Sequence, residues 1–87
     1  MPKILIIDDE KAIRNILKEI LEYEGFLVDE VDNGVEGIEL IKTRDYDVVL
    51  CDIKMNKLDG IAVLKESLLV KPDLPFIMIS GHGTIET

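Results

Sequence analysis

A doubly wound α/β fold on a parallel sheet is what this sequence predicts, on three observations. Short unbroken apolar runs alternate with stretches of helical periodicity, the pattern of stacked right-handed βαβ units. Two of those runs end in acid: Lys3-Ile4-Leu5-Ile6-Ile7 leads into Asp8-Asp9, and Asp47-Val48-Val49-Leu50-Cys51 leads into Asp52. At 87 residues, 47% of them hydrophobic, the chain suffices for one domain over residues 1–87 and is too short for two.

Each element has its own local reason. Lys3–Ile7 is apolar after its first residue and too short for a helix, which makes it a buried strand. Asp8 or Asp9 can then cap a helix whose residues Ile13, Ile16, Leu17, Ile20 and Leu21 recur at three and four, with Gly25 as its stop. Phe26–Val31 alternates apolar and polar, as expected of a strand at a sheet edge. Asp32-Asn33-Gly34 is a turn opening a second helix, marked on one face by Val35, Ile38 and Ile41. Asp47–Asp52 is the third strand and residues 53–58 a polar loop. Asp59 caps a third helix carrying Ile61, Val63, Leu64, Leu68 and Val70, and Pro72 and Pro75 bracket its exit. Phe76–Ser80 is a fourth buried strand, Gly81-His82-Gly83 a turn, and Thr84 with Glu86 resembles the start of another helix. Residues 84–87 amount to about one turn of 3.6 residues, so the fold is expected to be incomplete.

Charge and composition exclude several function classes. Ten Lys and Arg against eighteen Asp and Glu give a net charge of −8 without a basic stripe, so direct nucleic-acid binding is not expected. No apolar run approaches the roughly 18 residues needed to cross a bilayer, and Met1-Pro2-Lys3 carries no leader pattern. A cytoplasmic location away from membranes is the expectation. Cys51, the single cysteine, forms no internal disulfide and reads as a buried strand thiol.

The acids carry the chemistry. Ligands bind in an open parallel sheet beyond the carboxyl ends of its strands, where strand order reverses. Strands one and three would therefore present Asp8, Asp9 and Asp52 to one pocket. Crowded carboxylates repel and lose hydration, a conflict that a hard, oxygen-seeking divalent cation resolves. Singly, each acid could merely cap a helix. Together, at two strand ends in one register, they read as a metal site.

Ile-Ile-Asp8-Asp9-Glu10, Leu-Cys-Asp52-Ile-Lys-Met, Asp59-Gly60 and Ile-Ser80-Gly81-His82-Gly83-Thr84 resemble, in order and spacing, the receiver domains of two-component response regulators. The resemblance runs through all 87 residues and stops about two-thirds of the way along the usual receiver. It implies a flavodoxin-like receiver fold with strand order 2-1-3-4-5, here lacking the fifth strand and the last two helices. It further implies that Asp52 is the phosphoacceptor, taking a phosphoryl group from a sensor histidine kinase. Asp8, Asp9, Asp52 and the backbone carbonyl of Lys54 would hold Mg2+, and the Ser80 hydroxyl would act as the switch that contacts the new phosphoryl oxygen. No enzyme activity is implied beyond magnesium-dependent self-phosphorylation from a phosphodonor and slow self-dephosphorylation. The strings around Asp52 and Ser80 are most similar to receivers of NtrC-type transcription activators, which implies a role in transcription control.

Two departures from that pattern stand out: Asn56 follows Met55 where such receivers usually have Pro, and no lysine corresponds to the one ending their fifth strand. His82, a lone histidine between glycines, reads as an exposed loop residue. Phosphatases of other doubly wound families that use an aspartate nucleophile usually place a second acid two residues after it, where this chain has Lys54. The alternative reading is a non-phosphorylated interaction or dimerisation module derived from a receiver. Under either, the apolar strand Phe76–Ile79 is expected to drive self-association, giving a homodimer.

Overall fold

The computed structural model describes residues 1–55 and 58–79. Seven elements alternate along them: β1 (Lys3–Ile7), α1 (Lys11–Tyr23), β2 (Leu27–Val31), α2 (Gly34–Thr43), β3 (Val48–Asp52), α3 (Gly60–Val70) and β4 (Phe76–Ile79). The strands form one parallel sheet in the order β2-β1-β3-β4. This is the predicted topology, with β2 at an edge and the order reversing between β1 and β3. The expectations placed on Asn56, Ser80, His82, Thr84 and Glu86 lie outside the described residues.

Strand periodicity sorts the side chains to two faces. Leu5 and Ile7 of β1 and Val49 and Cys51 of β3 alternate inward, and they join Ile41 of α2, Val63 of α3, Val31, Tyr46 and Leu74 in the main core. Phe76 and Met78 extend this layer onto β4. Ile4 and Ile6 point to the opposite face, as right-handed crossovers require when α1 and α2 lie on opposite sides of the sheet. Leu5, Ile6, Ile7, Ile41, Val49, Cys51 and Val63 are fully buried, each contributing roughly 1.5–3 kcal/mol of burial relative to exposure for the larger side chains.

Some expectations change in detail. β2 and β3 start one residue later than predicted, at Leu27 and Val48. Phe26 is held back because its N–H donates to the Leu21 carbonyl, closing the end of α1 around Gly25, whose φ of 97° only glycine adopts freely. The stripe on α1 is less buried than its spacing predicted: Ile13, Leu17 and Leu21 are half-buried, whereas Ile16 and Ile20 stay 53% and 54% exposed. Asn33 and Asp59 cap their helices, accepting from the N–H groups of Glu36 and Ala62 at 2.9 Å.

The cap of α1 departs from expectation in a way that matters for function. Glu10, not Asp8 or Asp9, is the N-cap residue, and no side chain caps the helix. Asp8 is still engaged with the sheet, its N–H donating to the Val31 carbonyl, so the chain must travel two more residues before it can turn into a helix.

Candidate metal centre

The register of the sheet builds the site. Ile7 of β1 pairs with Cys51 of β3, so one step further along both strands Asp8 stands beside Asp52, with Asp9 next in the turn. One carboxylate oxygen from each of Asp8, Asp9 and Asp52 lies within 4.8 Å of the others. The structure thus brings together the three acids that the sequence singled out. Lys54, two residues beyond Asp52, is exposed.

The acids are unequally placed. Asp8 and Asp52 are 2% and 3% exposed, and Asp9 is half-buried at the mouth. Asp8 Oδ1 accepts the Glu10 N–H at 2.8 Å, whereas Asp52 Oδ1 is buried with no hydrogen-bond partner. Burial, first of all, pushes the Asp52 carboxyl above its ordinary value, the charges of Asp9 and Glu10 push the same way, and the N–H groups of Lys54 and Ile53 offset part of the rise. Asp8 is likewise raised, chiefly by burial and further by Asp52, Asp9 and Glu10, against the Glu10 N–H.

A buried carboxylate oxygen without a donor is costly, because it has lost water and gained nothing. A hard divalent cation meeting these oxygens would satisfy the orphan and cancel the repulsion, so the residues present fit Mg2+. Cys51 offers no rival nucleophile. Its thiol is pushed up to about 12, by burial first and then by Asp52, Asp8 and Asp59, and so stays protonated.

The loop after Asp52 is seated by α3. The Gly60 N–H donates to the Ile53 carbonyl at 2.7 Å, and Ile53 in turn donates its N–H to the Ile79 carbonyl at 3.0 Å. Sequence reasoning passed over one residue beside the acids, Arg14. Its Nη1 donates to the Asp8 carbonyl at 2.9 Å and its Nε to Glu30 Oε1 at 2.7 Å. A charged residue directly after Ile13 of the apolar stripe was the available signal.

Comparison with known proteins agrees with this architecture. The sequence profile of the response regulator receiver domain matches residues 4–87. The transcriptional regulatory protein ZraR of Escherichia coli O157:H7 is 34% identical over 84 residues, which cover 97% of this chain and 19% of that protein. The chain spans about a fifth of the length of such curated relatives. Response regulator protein TrrA from Thermotoga maritima, solved in complex with Mg(2+)-BeF, superposes with a TM-score of 0.91 at 36% identity, covering 95% of this chain and 72% of that one. A structure of histidine kinase ThkA in complex with TrrA gives a TM-score of 0.91 at 34% identity, covering 100% of this chain and 75% of the matched one.

Proposed function

The chain belongs to the response regulator receiver domain family, and on that footing we propose that it is a phosphorylation switch whose phosphoacceptor is Asp52. The observation that carries this reading is the unpartnered Oδ1 of Asp52, 3% exposed, among carboxylates within 4.8 Å. One Asp52 oxygen attacks phosphorus, the bond from phosphorus to the donor's leaving nitrogen or oxygen breaks, and an acyl phosphate forms on the side chain. Asp8, Asp9, Asp52 and the Lys54 carbonyl are the proposed magnesium ligands. The ion, when bound, offsets charge on the transferring group and on the acids around it. Catalysis by this chain is then mostly placement: β1 and β3 fix the acids, and burial excludes bulk water from the carboxylate that reacts.

The proposed donor is a phosphohistidine on a sensor kinase, in keeping with a kinase complex among the structural relatives. Ser80, outside the described residues, is the proposed switch hydroxyl. Since ZraR is named a transcriptional regulatory protein, control of transcription by a longer protein containing this domain is part of the proposal. So is self-association along β4, the outermost strand beside β3 among the described residues, on which Ile77 is 54% exposed.

Treatment with phosphoramidate or acetyl phosphate in Mg2+, read by intact mass, tests the central claim. A gain of one phosphoryl group that disappears in Asp52→Asn is expected. A folded chain that gains nothing would refute it and leave the interaction-module alternative.

A further inference from the structure

We propose that Arg14 is a positioning residue for the metal centre: its guanidinium fixes the peptide that joins Asp8 to Asp9, and Glu30 of β2 holds the guanidinium in place. This rests on reading Asp8 and Asp9 as ligands. Arg14 Nη1 donates to the Asp8 carbonyl at 2.9 Å while Nε donates to Glu30 Oε1 at 2.7 Å, with the two side chains only 14% and 25% exposed. A planar guanidinium bonded at two of its nitrogens is held in one orientation, and it restrains the carbonyl it faces.

That carbonyl is the one that matters for Asp9. Asp8 is already held by its N–H, bonded to the Val31 carbonyl at 3.2 Å, and by its carboxylate, bonded to the Glu10 N–H at 2.8 Å. The Glu10 bond closes a turn around the following peptide, and the Arg14 bond holds the carbonyl of that same peptide from α1. Because the peptide is planar, its tilt decides where the Asp9 side chain begins, and the Arg14 bond is the restraint on it that comes from outside the turn. Among the described residues no hydrogen bond reaches the Asp9 carboxylate itself, so its direction depends on its backbone.

Glu30 has a second task. A bare guanidinium beside a cation site would repel the ion, and the carboxylate of Glu30 neutralises it. Lys18 Nζ lies 3.8 Å from the other Glu30 oxygen, so the carboxylate is anchored from α1 at two points. Lysine at position 14 could not perform both bonds in one plane, being a point charge on a flexible stem.

Calorimetric titration of MgCl2 into the 87-residue chain tests this, using wild type, Arg14→Met, Arg14→Lys and the remote core variant Ile41→Val. Arg14→Met is expected to weaken magnesium binding roughly tenfold, the scale seen when groups orienting metal ligands are removed. Arg14→Lys should show most of that loss, and Ile41→Val should lower the melting temperature without changing the affinity. A folded Arg14→Met chain with wild-type affinity overturns the proposal, and if that variant does not fold, wild-type affinity in Arg14→Lys does so. Failure of the wild type to bind magnesium instead overturns the reading of Asp8 and Asp9 as ligands, and the proposal with it.

Discussion

Gly60 and Asp52 meet at a point that only glycine permits: the space a Cβ would occupy at position 60 is filled by the Asp52 backbone carbonyl oxygen. The backbone at Gly60 is not left-handed, since Gly25 alone among the described residues has positive φ. Space, not conformation, excludes a side chain here. The start of α3 is thereby seated directly on the loop that follows the proposed phosphoacceptor.

Gly60→Ala should therefore cost about 1–3 kcal/mol, because the obstacle is backbone and cannot swing aside. Urea denaturation monitored by circular dichroism measures the loss, and an unchanged midpoint would contradict the crowding. Gly25→Ala meets no atom within 4 Å, so its penalty should come from the positive φ alone, about 1 kcal/mol.

Stability without divalent ions should depend on pH through Asp8 and Asp52. Both carboxyls are raised in the fold, so each favours the native state most below the ordinary value of 3.8 and disfavours it once pH climbs past its raised value. Removing the charge with Asp52→Asn should raise the metal-free melting temperature at pH 7. That gain should shrink on acidification toward pH 4, as the wild-type carboxyl protonates. A gain independent of pH would mean that charge is not the cause.

Magnesium should stabilise the wild type and do little for variants of its acids. At a free concentration one hundred times the dissociation constant, linkage gives about 2.7 kcal/mol. Asp9→Asn and Asp52→Asn should lose most of this increment, and EDTA should reverse it. Chemical denaturation with and without MgCl2 provides the comparison.

Tyr46 serves as a control at the far end of β3. Its hydroxyl donates to Asp29 Oδ2 at 2.7 Å, with Arg44 at 3.1 Å and Lys3 at 3.7 Å from the same oxygen. Burial alone would raise the Asp29 carboxyl, but the Tyr46 hydroxyl, Lys3 and Arg44 together outweigh it and leave it lowered. This contribution is present above pH 3.8 and fades as pH falls through the lowered value. Tyr46→Phe should cost about 1 kcal/mol at pH 7 and less in acid, with magnesium affinity unchanged.

Much of this was legible from residues alone. The runs Ile4–Ile7 and Val48–Cys51 are apolar because β1 is buried on both faces and β3 on one face and partly on the other, and that burial is what makes such strands easy to recognise. Asp8, Asp9 and Asp52 announced themselves as charge where apolar runs stop. The capping of α1 was misread because Asp8 looks the same in sequence whether it caps a helix or prolongs a strand, and the Val31 carbonyl that decides between them is remote in the chain. The half-exposed stripe of α1 was overestimated for a related reason: periodicity gives the face of a helix, not how much of it a partner covers.

The sequence by itself determined the order of elements, the parallel topology and the identity of the acids, since apolar periodicity and charge placement are local properties of the chain. Only the tertiary structure decided that Asp52 Oδ1 lacks a partner, that Gly60 must have no side chain, and that Arg14 reaches across to Glu30. Each of these depends on ångström-scale distances between segments that meet only on folding, and no local preference encodes such a distance.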